Sequence, residues 1–478
     1  MARTSNLVKT KKTTVKIETP VTTDFYGDVY TAILDKSEKD LQIVSGMYEG
    51  RRLSTGILVL DMITGLICPT MYTISGMEGS AKTTITQHVI KSIVNENIPI
   101  KKHYDPENAV DAEYSTAIYQ VKELSDIYGE RGTKGWKKRP KVRYYDNNIL
   151  ETVFDDMQTT LNALPDKLYR HETKKWYLVF HRKTKDIALM KEMQAKGLSK
   201  HDKKLYTETG MYFCDIGDDD RFQAAFFMDS WPQLVAEKID SQEKDGNALA
   251  IEASQFSKYL KRVRGKLRRK RALLWGCNQI AEIPMARGSP FKEKGGNSLR
   301  YASDVRNELW HRAESGVPNS FKEIEPSVFK KKKNDTYAYK FIKNTKNKKW
   351  GPKKTEWLRV WTSDHLGKGR GVDPVWDVWR YLLMTNQLSG KKEKFTIKFK
   401  SCNSIEFSWS LFKALILSIY CGDKNLQQVV KDGLNIKKIP DLRSECFAQI
   451  ASGEAFELQN GDNSEFEIEE EEDLEVDD

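Results

Sequence analysis

Gly76-Met77-Glu78-Gly79-Ser80-Ala81-Lys82-Thr83-Thr84 brings small residues, one lysine and adjacent hydroxyls together in a short segment. The apolar run Met71-Tyr72-Thr73-Ile74 precedes it and the amphipathic stretch Thr84–Val94 follows. Between a strand and a helix, such a loop turns backbone N–H groups inward around phosphate oxygens, at a helix N-terminus that already favours anions. Lys82 would reach the β and γ oxygens of a nucleoside triphosphate, and the Thr83 hydroxyl would ligate Mg²⁺. Ala81 stands where glycine ordinarily precedes the lysine. That position is expected to begin the helix with ordinary helical φ, where a methyl group is tolerated but narrows the room beside the phosphate. The competing reading is a glycine- and serine-rich strand–helix turn that binds nothing.

Three further residues extend this chemistry. Asp229 follows Phe226-Phe227-Met228 and fits the carboxylate that holds the Mg²⁺ water shell opposite Thr83; most aspartates after strands only cap the next helix. Glu107, expected at the end of the strand after the phosphate-loop helix, could orient or deprotonate an attacking water, or be a solvated loop carboxylate. Gln279 cannot act as a base, but its amide can hydrogen-bond a γ-phosphate and report its presence to the loop that follows.

That loop, Ala281–Asn297, holds Arg287, Phe291, Lys292, Lys294, Gly295, Gly296 and Asn297. Cations for phosphates, an aromatic for bases and glycines for mobility make it a candidate single-strand-binding loop. Before it, Lys258–Arg271 carries nine Lys or Arg, which read equally as a nucleic-acid surface or a solvated helix face.

These residues need a scaffold that aims them at one place. Met71–Ile74, Ile98–Tyr104, Ala224–Met228 and Leu273–Cys277 are short apolar segments, each ending in polar residues and separated by helical patterns. The pattern predicts an α/β fold with a mostly parallel sheet flanked by helices, with ligands at the carboxyl ends of its strands.

The chain has 478 residues, enough for two or three domains. Residues 1–50 read as a small separate element with a short strand at Thr14–Ile17 and a helix over Val29–Ile43. Residues 51–362 read as the core, with a lysine-rich insertion of hairpin and helices at about 166–220. Residues 363–461 read as a C-terminal domain with helices at Val375–Met384 and Phe407–Tyr420, and 462–478 as an acidic tail. The tail has eleven acidic and no basic residues, so a net charge of +10 becomes +10 + 11 = +21 for residues 1–461. A basic body with a tethered polyanion points to a polyanion-binding surface and its built-in competitor, or to a solubilising tail. The six cysteines are scattered without a C-x-x-C pair, which favours a reducing compartment over disulfides or zinc. With neither an apolar signal core nor a long apolar run, the chain is expected to be soluble and intracellular, without a membrane partner.

With these residues in place the chain resembles the RecA-type recombinases, in particular their phage UvsX-like members, over about residues 51–385. The resemblance is carried by Ser54-Thr55-Gly56 with Leu60-Asp61, the phosphate loop, and Asp105-Pro106-Glu107-Asn108-Ala109-Val110-Asp111 with Tyr114. Asn278-Gln279-Ile280, Gly295-Gly296-Asn297-Ser298-Leu299-Arg300-Tyr301, Val305-Arg306, Lys340-Phe341-Ile342-Lys343-Asn344 and Gly369-Arg370-Gly371-Val372-Asp373 carry it further. It implies Glu107 as the catalytic glutamate, Asp111 and Tyr114 on the adenine, and Gln279 as the nucleotide sensor. It also implies a second DNA-binding loop ending in Gly295, Gly296, Asn297 and Arg300, and basic and aromatic residues at a subunit interface around Val305-Arg306. Lys343 would reach a neighbouring subunit's ATP; the second such lysine falls on Thr345, or on Lys346 if the register slips by one. A first DNA-binding loop is placed near Asp240–Asn247 by position alone.

The resemblance implies a DNA-dependent ATPase with ATP and Mg²⁺ as cofactors, filamentous on single-stranded DNA and pairing it with duplex. An oligomerisation role for residues 1–50, autoinhibition by the tail, mediator and single-strand-binding proteins as partners, and a cytoplasmic location (a host's, if phage-encoded) come with it. The other classes open at this point are a hexameric helicase or motor on the same core, and a non-hydrolysing DNA-binding scaffold.

Overall fold

Met71–Ile74 is buried along its whole length because it lies inside a ten-stranded sheet, with strands on both sides. The computed structural model describes residues 52–96, 98–108, 110–133, 135–164, 168–170, 176–181, 211–217, 222–237, 248–282, 291–293, 297–311, 337–348, 354–361, 370–391, 394–403 and 405–460. The expected N-terminal element and acidic tail lie outside these residues.

In chain order, helix α1 (Leu58–Thr64) leads into β1 (Met71–Gly76), α2 (Lys82–Val94), β2 (Ile100–Tyr104), α3 (Ala112–Tyr119) and the single turn α4 (Ser125–Tyr128). A hairpin of β3 (Glu130–Gly132) and β4 (Gly135–Lys138) precedes β5 (Arg143–Tyr145) and α5 (Leu150–Ala163). Then come β6 (Leu168–Arg170), β7 (Trp176–His181), β8 (Met211–Gly217), β9 (Ala224–Met228), α6 (Ala248–Leu267), β10 (Ala272–Glu282), β11 (Phe291–Glu293), α7 (Asn297–Ala302) and β12 (Val305–His311). The sheet closes with β13 (Tyr337–Asn347), β14 (Thr355–Trp361) and β15 (Gly371–Val372).

The sheet order is β15-β14-β13-β12-β1-β10-β9-β2-β5, with β11 added to β10. Every pairing from β12 to β5 is parallel, and β13, β14 and β15 extend the sheet antiparallel. The fold is thus α/β with a mostly parallel central sheet. Alternation along the strands sorts the core into two layers. Tyr72, Ile74, Phe227, Leu273 and Trp275 pack with α1 and α2, whereas Met71, Phe226, Met228, Ala272 and Leu274 pack with α5, α6 and α7. The Ser54-Thr55-Gly56 segment folds onto buried Asp61, whose carboxylate accepts from the Ser54 hydroxyl at 2.5 Å and the Thr55 N–H at 2.8 Å. Burial pushes the Asp61 pKa up to about 7.

Within the expected insertion, β6, β7 and β8 form a three-stranded antiparallel sheet; the lysine-rich stretch from 183 to 204 lies outside the described residues. At the C-terminal end, α8 (Pro374–Met384) packs on α1, and Asp377 accepts the N–H groups of Leu58 and Val59 at 2.9 and 3.0 Å. A small sheet of β16 (Leu388–Lys391), β17 (Lys394–Ile397) and β18 (Glu406–Phe407) precedes α9 (Trp409–Tyr420), α10 (Lys424–Leu434), α11 (Leu442–Ser452) and α12 (Glu454–Asn460). The helix expected from Phe407 starts later, because Phe407 pairs in β18 and the Ser408 hydroxyl caps the helix at the Leu411 N–H. No helix among the described residues is long and apolar enough to cross a membrane.

Candidate nucleotide site at the carboxyl edge of the sheet

The loop from Gly76 to Ala81 leaves β1 between β10 and β12, where Gly76 pairs with Gln279 on one side and Leu309 on the other. A Cβ on Gly76 would lie 2.7 Å from the Leu309 carbonyl, so only glycine fits there. The Ser80 hydroxyl is buried, with no hydrogen-bond partner among the described residues. An orphaned hydroxyl inside a loop at the N-terminus of a thirteen-residue helix fits a phosphate ligand.

Ala81 corrects the sequence reading. Its φ is 74 and ψ 26, in the left-handed region and not the helical one. The chain has to reverse its handedness to turn the loop into α2, and Gly79 likewise sits at φ 69. Such alternation makes a concave cup of backbone N–H groups. Alanine adopts the conformation at a cost of about 1 kcal/mol that glycine would not incur.

Lys82 folds over this cup, its amine donating to the carbonyls of Gly76 at 3.0 Å and Met77 at 2.8 Å. Burial lowers its pKa, opposed by nearby Asp229 and Glu107. A second lysine missed in the sequence, Lys340 on β13, donates to the Gly79 carbonyl at 2.7 Å. Its amine and the loop are 261 residues apart in sequence, so no local pattern announces the contact.

Asp229 is buried at the end of β9, with Thr83 close to its carboxylate. Desolvation raises the Asp229 pKa to about 7, partly opposed by the nearby Thr83 hydroxyl. Hydroxyl and carboxylate are both hard oxygen donors of the kind that Mg²⁺ takes. Cys277, also unforeseen, closes the floor of the site, bonding Thr86 at 3.0 Å and touching Asp229.

Glu107 lies in the turn after β2, which ends at Tyr104, and not at the strand's end as expected. Its carboxylate accepts from the Ser230 hydroxyl at 2.5 Å and the Gln279 amide at 3.3 Å. The turn is built on Asp105, whose carboxylate accepts from the Val110 N–H at 3.1 Å and the Tyr144 hydroxyl at 2.8 Å. Tyr144 also donates to Asn108 Oδ1 at 3.1 Å. Lys82, Thr83, Asp229, Glu107 and Gln279 therefore share one edge, while Ser230 and Tyr144, which hold Glu107 and its turn, carried no motif.

Asp111 caps α3, its carboxylate accepting the Tyr114 N–H at 2.6 Å. The Tyr114 hydroxyl meets Thr84 at 2.6 Å, and the Arg370 guanidinium lies 5.9 Å from its ring centroid.

The loop after Gln279 is narrower than expected. β10 continues through Glu282, and β11 returns antiparallel on it, pairing Phe291 with Glu282 and Lys292 with Ala281. Arg287, Lys294, Gly295, Gly296 and the segment Asp240–Asn247 lie outside the described residues, and Asn297 opens α7. Glu293 ties the hairpin to the site's strands, accepting from Ser75 at 2.7 Å and pairing with Arg306 at 2.6 Å. Arg306, placed by resemblance at a subunit interface, is buried within the chain. Arg300 is exposed on α7.

Lys343 is exposed opposite Glu308 on β12. The register shifts between Arg306 and Asn307, pairing Arg306 with Lys346 and Asn307 with Asn344, so Thr345 is the extra residue of a bulge. Thr345 lies near the same Glu308 that Lys343 faces, and its buried hydroxyl makes no hydrogen bond among the described residues. The Lys346 amine caps α7 through the carbonyls of Arg300 at 2.8 Å and Tyr301 at 3.2 Å, and desolvation with Lys348 nearby lowers its pKa to about 8.

The basic run Lys258–Arg271 is divided. Phe256, Leu260, Val263 and Leu267 bury one face of α6, and Lys258, Lys261, Arg262 and Arg268 are exposed. Lys270 is buried and donates to the Leu164 carbonyl, while Arg264 pairs with Asp304 at 3.2 Å.

A search against protein-family models finds no match to this chain, and a search of curated proteins finds none either.

Proposed function

We propose that this chain is an ATP-dependent DNA strand-exchange protein of the RecA type, forming helical filaments on single-stranded DNA with ATP between subunits. The single observation that carries the reading is the meeting of Lys82, Thr83, Asp229, Glu107 and Gln279 at the carboxyl edge of four parallel strands. The cup from Gly76 to Ala81 would hold the phosphates with Lys82, and Thr83 with Asp229 would hold Mg²⁺. When bound, the metal offsets charge on the phosphate oxygens. Glu107, fixed by Ser230, orients and deprotonates the attacking water, and Gln279 exchanges its bond to Glu107 for one to the γ-phosphate. The β10–β11 hairpin that follows Gln279 then passes nucleotide state to the basic loop. Asp111, Tyr114 and Lys343 complete the adenine and inter-subunit contacts in this reading, with Lys346 or Thr345 as the second inter-subunit group.

A hexameric helicase or motor would share the core and the site. Electron micrographs with ATP and single-stranded DNA separate the two: helical filaments are expected, and closed rings would replace this reading by the motor. ATP turnover stimulated by single-stranded DNA and abolished in Lys82→Ala is the accompanying expectation. Unchanged turnover in that variant would remove the loop's assignment.

A further inference from the structure

The segment Glu130-Arg131-Gly132-Thr133-Lys134-Gly135-Trp136-Lys137-Lys138-Arg139-Pro140-Lys141 holds six cations and one carboxylate. It has no part in the nucleotide site. Among the described residues, strands β3 and β4 pair only with each other, apart from the central sheet. A short two-stranded hairpin gains little from its own ladder, and this one offers no apolar face to a core. Arg131, Trp136, Lys137, Arg139 and Lys141 are all exposed. Trp136 is 41 % exposed, an unusual position for an indole, whose large apolar surface gains most from burial.

The exposed indole is held in a defined place. Arg131 pairs with Trp136 across the hairpin, and its guanidinium lies 5.7 Å from the ring centroid. Lys137 pairs with Glu130 at 2.8 Å and Lys138 with Asp126, so the cations line the ribbon and still outnumber the carboxylates. The base is fixed by the N–H groups of Lys141 and Val142, both donating to the Ile127 carbonyl at 2.9 and 3.1 Å, and Val142 is buried. Gly129, at φ +76, lets the chain leave the core: a Cβ there would lie 2.7 Å from the Lys138 carbonyl. The hairpin runs directly into β5, the edge strand whose Tyr144 holds the Glu107 turn.

We propose that this hairpin is a contact site for single-stranded nucleic acid, with Trp136 stacked on an unpaired base and the cations around it on the flanking phosphates. Clustered cations would suit any polyanion, but a flat, exposed ring beside a guanidinium suits unpaired bases, which present their faces; in a duplex those faces are stacked away. The inference rests on the nucleic-acid part of the function proposed above and is independent of its nucleotide part.

The test is fluorescence anisotropy of a labelled oligothymidylate with the full chain, over a range of salt concentrations, with and without ATP. Trp136→Ala is expected to weaken binding on the order of tenfold, and Trp136→Phe to restore most of it by preserving a stacking face. The combined Arg131→Ala, Lys137→Ala and Lys141→Ala variant is expected to make the slope of log affinity against log salt shallower by about two. Thermal unfolding midpoints should match the wild type, since the hairpin stands outside the central sheet. Wild-type affinity and salt slope in both variants would overturn the proposal while leaving the wild type's DNA binding intact. Equal losses on duplex and single strands for Trp136→Ala would overturn the stacking assignment. A wild-type chain that binds no oligonucleotide would overturn both this inference and the DNA-binding function.

Discussion

Gln279 donates its side-chain amide to Glu107 at 3.3 Å, across the end of β9 and 172 residues away in sequence. In the proposed mechanism these are the group that activates water and the group that senses the γ-phosphate, with Ser230 as the second donor to the same carboxylate oxygen. A phosphate oxygen that competes for the Gln279 amide would free Glu107 at the moment its carboxylate is needed.

Glu107→Gln keeps the size and hydrogen-bonding capacity of the side chain and removes its charge. ATP binding is expected to survive, with turnover reduced by about a hundredfold or more. Equilibrium ATP binding and steady-state hydrolysis measure the two separately. Persistent wild-type turnover would mean that water is activated by another group.

Ala81→Gly is expected to stabilise the chain by about 1 kcal/mol, because glycine occupies the left-handed conformation without a Cβ clash. The urea midpoint of unfolding reports it. A midpoint at or below the wild type's would show that the added freedom of the unfolded chain cancels the gain.

Tyr144→Phe removes one hydroxyl from Asp105 and Asn108 and touches no residue of the phosphate cup. With the Glu107 turn less constrained, kcat is expected to fall about fivefold, the worth of one hydrogen bond of roughly 1 kcal/mol, at unchanged KM for ATP. A change in KM alone would assign Tyr144 to nucleotide binding and remove its positioning role.

Deletion of Asp462–Asp478 is expected to strengthen duplex binding more than single-strand binding. The tail's eleven negative charges are tethered to a body of +21, and so compete with DNA at high effective concentration. Duplex affinity of full and truncated chains at one fixed low salt concentration decides it; without a gain, the tail serves solubility alone.

The strands at Met71–Ile74 and Ala224–Met228, the small-residue loop between strand and helix, and the carboxylate after Met228 were legible because each depends on a few adjacent residues: an apolar run, small residues, one lysine. Their convergence on one edge followed from the rule that parallel strands present their carboxyl ends together. The extent of β10 was not legible. Its continuation past Cys277 is made by pairing with β1 at Asn278 and Gln279 and with β11 from Ile280 to Glu282, and pairing with distant segments leaves no mark on Asn278–Glu282. The antiparallel pairing of β13, β14 and β15 had no signal for the same reason.

By itself, then, the sequence determined which groups are available to the proposed chemistry, and how charge divides between body and tail. Tertiary structure alone decided which groups meet. Ser230 and Gln279 on Glu107, Tyr144 on Asp105, Lys340 on Gly79 and Glu293 on Ser75 all join different elements of the chain. It also decided the handedness of Ala81, which is set by how the loop must turn to enter α2 and not by the residue's own preference. The physical reason is range: propensity and spacing act over a few residues, whereas a hydrogen bond between distant elements exists only once the sheet has brought their ends together.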